Sequence, residues 1–508
     1  MIQRTPTSFP GTTTTVTRFN GRRLVLPEMP KLTSPLRPGL SGMHSMALAL
    51  VSIYLFIIIS RVFDVMLSAL RIPMFFFLLA LLGGLLTGNI VRSTQHRIPL
   101  LMWLMVGWMA VTTLFSSHRG GSIDSFKASV LSCLTAILIL CVATTSESML
   151  RVVRVYAFAV FAAAALGFVF GGGGDRFSLY QGTYGDPNQY AMGLLMGLPL
   201  ILFLSRQTPA VKRVFVYAGA ALVFAAFLRA GSRGGAVALM IMLLVWFFQM
   251  NAIQKLLLAT VGTALILGSL AFLPEYLKVR YTTFFTADQE SVARLDENSQ
   301  MLLSGDVGST SGRLALLQDS LMMTMRHPLL GVGPDQFPMQ RWELKLKETG
   351  RNAGYFVTHN SYTQMSSENG LIGLAILVAL LYYTFKEISL VLKLRGSPEY
   401  RIPQIIFDVG LGLRLTIITM AVCALFLSVA YSQLFYLMGA LACAYGAAVR
   451  NDLPKWRVAE DVAAQTSVPP SNSKLLPMTG PEPGSPASAF PGSASRPAFT
   501  PLRPGFRN

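Results

Sequence analysis

This sequence contains few charged residues. Only 13% of its 508 residues are Asp, Glu, Lys or Arg, whereas a soluble domain carries about 25%. Hydrophobic residues make up 52% of the chain, and they are concentrated in long apolar runs. Such runs are typical of a protein whose solvent is lipid. The low charge therefore excludes an ordinary soluble enzyme.

Cysteines and clustered carboxylates are also scarce. The four cysteines lie within apolar runs and form no CxxC pair, at Cys133, Cys141, Cys423 and Cys443. The sequence therefore supports neither disulfide bonds nor a zinc site, and these cysteines are expected to be small residues of a membrane core. Asp175, Asp186 and Asp335 are scattered, and no Asp-x-Asp motif occurs. We therefore expect neither a bound metal nor a cofactor.

The basic residues do not form one cluster. The net charge is +18, but a nucleic-acid-binding protein would concentrate its cations on one soluble domain. Here they lie in short loops and in two polar tails, where anionic lipid headgroups and membrane orientation account for them. The expected partners are membrane lipids, and no nucleic acid is expected.

Twelve apolar runs approach the ~20 residues needed to cross a bilayer. They lie at 45–60, 73–91, 98–116, 123–143, 152–170, 187–205, 212–229, 234–250, 255–273, 369–386, 409–430 and 434–449. The fold class is therefore an all-α polytopic membrane protein with about twelve transmembrane helices and one long loop that contains short helices.

The same runs divide the chain into five parts. Spans one to nine occupy 45–273, a long loop occupies 274–368, and spans ten to twelve occupy 369–449. The basic N-terminal tail, 1–44, and the Pro- and Ser-rich tail, 450–508, have little to bury and are predicted to be disordered.

The cations of the short loops orient the spans. With the N-terminus inside, the inner loops receive Arg92, Arg97, Arg151, Arg154, Arg206, Lys212, Arg213, Lys255, Lys386, Lys393, Arg395 and Arg401. The outer loops receive only Arg61, Arg71, Arg119, Arg176, Arg229 and Arg233. Since inner loops carry the excess of cations, both termini are predicted to be cytoplasmic and the 274–368 loop to be periplasmic.

Two amphipathic helices are predicted within that loop. In 312–327, apolar residues recur at helical spacing and Pro328 stops the run; they are Leu314, Leu317, Leu321 and Met325. In 335–349, Asp335 can cap the start and Gly350 can end the helix. The loop is therefore ordered enough to form a lid or a small domain.

Three polar motifs fall on the predicted outer side. The first, GTYGDPN at 182–188, contains Asp186 and Asn188 and precedes span six. Asp186 as N-cap and the proline after it can start a helix for purely structural reasons. Alternatively, the glycines let backbone N–H groups approach an anionic ligand at the positive end of the helix.

The second motif, RAGSRGG at 229–235, is the turn between spans seven and eight. Arg229 and Arg233 lie among three glycines, which suits guanidinium groups held close to a phosphate. The alternative is a short turn whose arginines extend to lipid headgroups.

The third motif, THNSY at 358–362, ends the long loop and is followed by Glu-Asn-Gly at 368–370. His359 as a neutral imidazole can take a proton from an attacking hydroxyl. The alternative is a capping element, because Ser361 and Gln364 have capping-box spacing. Tyr362 and other aromatic residues near these motifs can stack on sugars or form an interfacial belt.

Taken in order, the strings GTYGDPNQYA, AGSRGGAVAL, TSGRLALLQDSLMMTMRHPLLGVGPDQF and HNSYTQMSSENGLIGLAIL resemble the O-antigen ligase and polymerase superfamily. The resemblance covers roughly 150–390. It implies a bacterial inner-membrane enzyme that takes a glycan from undecaprenyl pyrophosphate at the periplasmic face. The acceptor is a hydroxyl of lipid A–core in a ligase, or a growing glycan in a polymerase.

The resemblance also implies roles for individual residues. Arg233 and Arg313 match arginines that bind pyrophosphate, and His359 matches the residue that activates the acceptor hydroxyl. Arg229, Arg176, Asp186, Asn188, Asn360 and Tyr362 are predicted to contact the substrates. The implied reaction is metal-independent and inverts the linkage.

Other functions stay open at this point. Ligase and polymerase share these motifs, and the Asp-Pro-Asn variant also occurs in exopolysaccharide polymerases. A secondary anion transporter would place polar residues at the midplane of the bilayer, often within repeated halves. Lys127 and Arg414 are the main charges inside spans, and no convincing repeat is found. A scaffold of an envelope complex is a third class, which the tails would suit.

Overall fold

The computed structural model describes residues 16–19, 22–25, 41–63, 70–94, 96–171, 176–179, 182–272, 274–282, 297–350 and 354–458. One short hairpin pairs β1, Val16–Phe19, with antiparallel β2, Arg22–Val25. It falls within the N-terminal tail, where the sequence predicts disorder. Most of both predicted tails lies outside the described residues.

Helices make up the rest of the regular structure. They are α1 Ser41–Ser60, α2 Ile72–Leu86, α3 Ile90–Ser93, α4 Arg97–Leu114, α5 Arg119–Val142, α6 Ser146–Phe170, α7 Pro187–Ser205, α8 Ala210–Arg229, α9 Arg233–Phe247, α10 Ala252–Phe272, α11 Glu275–Thr282, α12 Glu297–Arg326, α13 Phe337–Thr349, α14 Ser361–Leu392, α15 Gln404–Cys423 and α16 Gln433–Asp452. Short 3₁₀ turns cover Gly182–Gly185 and Leu453–Trp456.

Eleven of the twelve predicted spans each fall largely on one of these helices, and the span 73–91 covers α2 and the start of α3. Within the described residues, eight are long and apolar enough to cross a membrane: α1, α4, α5, α6, α7, α8, α14 and α15. Helices α2 and α9, with 15 residues each, and the 252–264 part of α10 are apolar but shorter. The helical membrane architecture is therefore confirmed, and the count of twelve spans stays a prediction.

The two largest differences from the predicted span boundaries are at the start of α14 and the end of α15. Helix α14 begins at Ser361 rather than near residue 369, and α15 ends at Cys423 rather than near residue 430. Residues 424–432 are apolar but form turns, and they hydrogen bond to the start of α14: Ser361 N–H donates to the Ala424 carbonyl (2.8 Å), and Ser361 Oγ donates to the Leu427 carbonyl (2.6 Å). Hydropathy does not detect such a break, because the segment stays apolar throughout.

Helices α7 and α16 form the buried centre of the bundle. Helix α16 is buried along nearly its whole length and packs on α5 and α14, while α7 packs on α6, α8 and α15. Small residues permit this close approach: a Cβ added at Gly439 would lie 2.4 Å from Met102 Cε. The centre is therefore rigid, and it fixes the ends of α7, α14 and α15.

The loop helix α12 is longer than the predicted 312–327. Leu316 and Met323 are buried and pack against Val332 and Phe337. The apolar stripe predicted from the sequence lies mostly on the other side, with exposed side chains at Leu314, Leu321 and Met325. The helix carries two apolar faces, and periodicity alone does not show which one the protein covers.

The second loop helix, α13, ends as predicted but starts differently. Gly350 follows it in the left-handed conformation, with φ 67°, which glycine adopts at little cost. Asp335 does not cap it: the N-cap is Gln336, which makes no side-chain cap bond. The Asp335 prediction is wrong because its backbone has φ 61° and belongs to the preceding turn.

Candidate active site

The arginine turn, residues 229–235, joins α8 to α9. Ser232 Oγ accepts a hydrogen bond from Gly235 N–H (3.1 Å) and caps α9, so Arg233 occupies the first helical position. Gly231 has φ 62°, and a Cβ there would lie 2.7 Å from Leu277 Cδ2. A helix start with unpaired N–H groups carries partial positive charge. The turn therefore fixes the start of α9, with Arg233 as its first helical residue.

Arg176 joins the first two motifs. Its Nη2 donates to Asn188 Oδ1 (2.8 Å), and its Nε donates to the Ala230 carbonyl in the arginine turn (2.9 Å). Asp186 caps α7 through Oδ1, which accepts from Asn188 N–H (2.8 Å) and Gln189 N–H (2.9 Å). The starts of α7 and α9 are thereby held side by side. The structural alternative for Asp186, helix capping, is confirmed.

Arg229 is held by an aromatic ring. Its Cζ lies 4.6 Å from the centre of the Phe177 ring, and its carbonyl accepts a hydrogen bond from Phe177 N–H (3.0 Å). Such a cation–π contact fixes the guanidinium beside the turn. A substrate-binding role for Arg229 stays a prediction.

Arg280, on the short helix α11, was not identified from the sequence. Its side chain is buried, and Nε donates to the Gly231 carbonyl (2.8 Å). The adjacent Tyr281 hydroxyl donates to the Leu228 carbonyl (3.1 Å). Two neighbouring residues of α11 thus bind carbonyls at the end of α8. The sequence offered no signal for this, because Arg280 lies in a loop without a motif.

Arg313 lines a cavity in front of the two helix starts. The cavity has an empty volume of about 220 Å³, including space open to solvent. Its lining residues are Asn188, Ser232, Gly234, Gly235, Arg313, Cys423, Phe426 and Leu427. Among the described residues, none accepts a hydrogen bond from the Arg313 guanidinium. Burial and the positive charge of Arg280 lower the pKa of Arg313, and Asp186 opposes them.

His359 lies in the same electrostatic environment. Burial lowers the pKa of its imidazole, Arg313 lowers it further, and Asp186 acts in the opposite direction. Its backbone has φ 51°, a conformation that is uncommon for histidine and costs of order 1–3 kcal/mol. Ser428 Oγ supports this turn by accepting from His359 N–H (2.8 Å). The imidazole therefore stays neutral near neutral pH, close to a guanidinium.

The residues after His359 hold the start of α14. Asn360 Oδ1 caps the helix, accepting from Tyr362 N–H (2.9 Å) and Thr363 N–H (3.1 Å). The Tyr362 hydroxyl donates to the Ala421 carbonyl (2.9 Å). The capping box of Ser361 with Gln364 is wrong, because the Gln364 side chain binds Ala430 N–H instead (3.2 Å). Substrate contacts of Asn360 and Tyr362 stay predictions.

The Glu-Asn-Gly sequence, residues 368–370, anchors the long loop. Glu368 is buried, and its carboxylate accepts from Asp335 N–H (2.9 Å), Phe337 N–H (3.3 Å) and the Tyr431 hydroxyl (2.5 Å). Phe337 is the first residue of α13, so Glu368 supplies the capping hydrogen bond that the N-cap residue Gln336 does not make. Sequence reasoning singled out this motif but assigned it no role.

Asn369 and Gly370 complete this anchor, which we name the Glu368 clamp (residues 368–370 with 328–337). Trp108 Nε1 donates to the Asn369 carbonyl, and Thr112 Oγ1 donates to Asn369 Oδ1, both at 2.8 Å. Gly370 has φ 69° and interrupts α14. Leu371 N–H then donates to the Pro328 carbonyl (2.8 Å). The segment that begins at Pro328, where the predicted 312–327 helix stops, is thus the one that the clamp holds.

A family model described as O-antigen ligase matches residues 218–378. This part of the chain is an O-antigen ligase domain, which supports membership of that superfamily. The match runs from α8 to the first half of α14, so it includes the arginine turn, Arg313, His359 and the Glu368 clamp. No curated protein matches the chain. Within its described residues, no three His, Cys, Asp or Glu side chains are grouped as metal ligands.

Proposed function

We propose that this protein is a glycosyl transferase of the O-antigen ligase type. It moves a glycan from undecaprenyl pyrophosphate to an acceptor hydroxyl at the periplasmic face of the inner membrane, with both termini in the cytoplasm. The observation that carries the proposal is the environment of Arg313. Its half-buried guanidinium has no described acceptor, lines a cavity beside two helix starts, and acts on His359.

The cavity offers the groups that a pyrophosphate needs. The first turn of α9 borders the cavity at Gly234, and Arg313 adds a charged fork. The N–H groups of Asn188 and Gln189 in α7 are already bound by Asp186. Each hydrogen bond to a charged group contributes about 1.5–3 kcal/mol. Such donors stabilise the charge that builds up on the departing pyrophosphate, so they act most strongly in the transition state. Arg233, one residue after the capping Ser232, supplies a second guanidinium.

His359 supplies the base. Its neutral imidazole accepts the proton of the acceptor hydroxyl as the oxygen attacks the anomeric carbon of the glycan. The bond from that carbon to the phosphate oxygen breaks, and undecaprenyl pyrophosphate leaves with the electron pair. Attack opposite to the leaving group inverts the linkage. In this scheme neither a metal ion nor a cofactor takes part.

A purified system tests the assignment. The protein in nanodiscs receives an undecaprenyl-pyrophosphate-linked glycan, and both the glycan product and the released lipid carrier are measured. We expect His359→Ala to reduce the rate about 10²- to 10⁴-fold, the usual contribution of a general base. His327→Ala is the matched control, because His327 is exposed in the same loop. Wild-type turnover by His359→Ala would remove the histidine from the mechanism.

The acceptor distinguishes the two activities of the family. Transfer to lipid A–core indicates a ligase, and extension of a second lipid-linked glycan indicates a polymerase. Solute flux into vesicles without any released carrier would instead favour the transporter class.

A further inference from the structure

Helix α12 has two apolar faces with different surroundings. One face is covered by protein: Leu316 and Met323 are buried against the α13 side, and Thr324 Oγ1 lies 2.8 Å from Ser366 Oγ of α14. The opposite face is uncovered, with exposures of 57% at Leu314, 48% at Leu321 and 79% at Met325. Spacings of seven and four residues place these three side chains on one side of the helix. Together with Leu329, they form what we call the outer stripe.

The clamp locates the end of this stripe relative to the membrane. The Pro328 carbonyl is bound to Leu371 N–H, so Leu329 lies beside the kink of α14. Leu371 and Ile372 are themselves exposed, at 51% and 39%, on a helix apolar enough to span a membrane. Exposed leucine and isoleucine on such a helix face acyl chains. The outer stripe therefore continues a lipid-facing surface.

The charges of the helix do not oppose this placement. Between residues 314 and 325, Asp319 is the only charged residue, and it points to α13, where it binds Arg341 (2.8 Å) and Lys345 (3.2 Å). Arg326, the last residue of the helix, pairs with Glu348 of α13 (3.6 Å), so it also lies on the covered side. Arg313 precedes the stripe, at the height where an interfacial helix carries its cations.

We propose that the outer stripe of α12 lies in the membrane, in contact with acyl chains of the leaflet on the side of the long loop. The helix is then an interfacial one, covered on one face by protein and on the other by lipid. Because Arg313 directly precedes Leu314, the depth of this helix also sets the height of the Arg313 guanidinium. The guanidinium then lies at the headgroup level of the bilayer, which is where the charged pyrophosphate of a lipid-linked donor lies.

Spin labels measure this contact directly. Leu321→Cys and Met325→Cys are labelled one at a time in nanodiscs, and collisions with oxygen and with a water-soluble nickel chelate are compared. The four native cysteines are buried, so labelled wild-type protein gives the background. Val378→Cys, on the exposed side of α14, is the lipid reference, and Lys347→Cys on α13 is the aqueous reference.

We expect both labels to resemble position 378, with high oxygen and low nickel accessibility. Nickel accessibility like that of position 347 would show that water covers the stripe. Low accessibility to both reagents would show that protein covers it, such as a second copy of the chain. Either of these two results overturns the proposal.

A second measurement needs no substitution. Lipids with a photoreactive diazirine on the acyl chain are activated around the native protein, which is then digested with trypsin. Cleavage after Arg313 and Arg326 releases the 314–326 peptide, which carries most of the stripe. We expect acyl-chain adducts on Leu321, Met322 or Met325. A peptide without adducts, alongside labelled peptides from α14, contradicts lipid contact.

Discussion

Two polar stretches lie at the start of α14: His359–Asn360 directly before the helix and Glu368–Asn369 within it. They differ in how much of their hydrogen bonding the protein itself uses. The Glu368 carboxylate has three donors, and Asn369 is bound through its carbonyl and both side-chain polar atoms. By contrast, no described residue hydrogen bonds to the imidazole of His359, which lies near Arg313 and Asp186. Glu368–Asn369 holds the loop in place, whereas the other stretch leaves the His359 imidazole available to a ligand.

The difference shows how a polar motif in an apolar chain is to be interpreted. A buried polar group that lacks a partner is costly, so most such groups are paired. Where pairing is complete, as at Glu368, substitution is expected to affect stability first. Where no described residue hydrogen bonds to a polar group, as at the His359 imidazole, substitution is expected to affect turnover. The following predictions test this division.

The largest effect on stability is expected for Glu368→Ala. The change leaves Asp335 N–H, Phe337 N–H and the Tyr431 hydroxyl without their acceptor. Each unsatisfied buried donor costs about 1–3 kcal/mol, so the total loss should be about 3 kcal/mol or more. Denaturant unfolding of the purified protein measures it. Glu348→Ala is the control, because its ion pair with Arg326 is half-exposed, at 3.6 Å, and contributes only about 0–1 kcal/mol. Equal stability of the two variants would mean that Glu368 anchors nothing.

A somewhat smaller loss is expected for Gly370→Ala, where the cost has two sources. Its φ of 69° disfavours any side chain, and a Cβ would lie 1.9 Å from the Leu329 carbonyl oxygen. Backbone strain of about 1–2 kcal/mol and overpacking of about 1–3 kcal/mol add together. Gly396→Ala separates them, since Gly396 has φ 78° but nothing within 4 Å. If both alanine variants unfold at the same denaturant concentration, the close approach of the loop to α14 is not maintained in the protein.

The sequence alone predicted most of the helices and the polar motifs, but not which polar groups anchor the loop. The apolar runs predicted helices at all twelve positions, because long periodic runs are a strong signal. The family resemblance of the ordered motifs implied roles for Arg233, Arg313 and His359, and these roles stay predictions. The roles of Glu368 and Arg280 were missed because each depends on contacts with residues distant in sequence. Glu368 binds a turn 33 residues earlier, and Arg280 binds a carbonyl 49 residues earlier.

The smallest expected effect is a shift in the pH dependence of turnover. His359 acts as a base only when neutral, so the rate should fall as the pH drops through its pKa. Burial and Arg313 place that pKa below the usual value of 6.5, while Asp186 raises it. Asp186→Asn keeps a good helix N-cap but removes the negative charge, so the imidazole should lose its proton more readily.

The acidic limb of the rate profile should therefore move to lower pH in Asp186→Asn, and to higher pH in Arg313→Gln, which removes the positive charge. Both variants are also expected to reduce the rate at every pH. The direction in which the acidic limb moves is therefore compared, and not the size of the rate. NMR of histidine-labelled protein, assigned with His359→Gln, follows the same proton without turnover. Shifts of the same sign in both variants would contradict an electrostatic cause. The two variants could instead shift the His359 pKa in opposite directions by NMR without moving the rate profile. That result would support the site geometry but assign the rate-limiting proton transfer to a group other than His359.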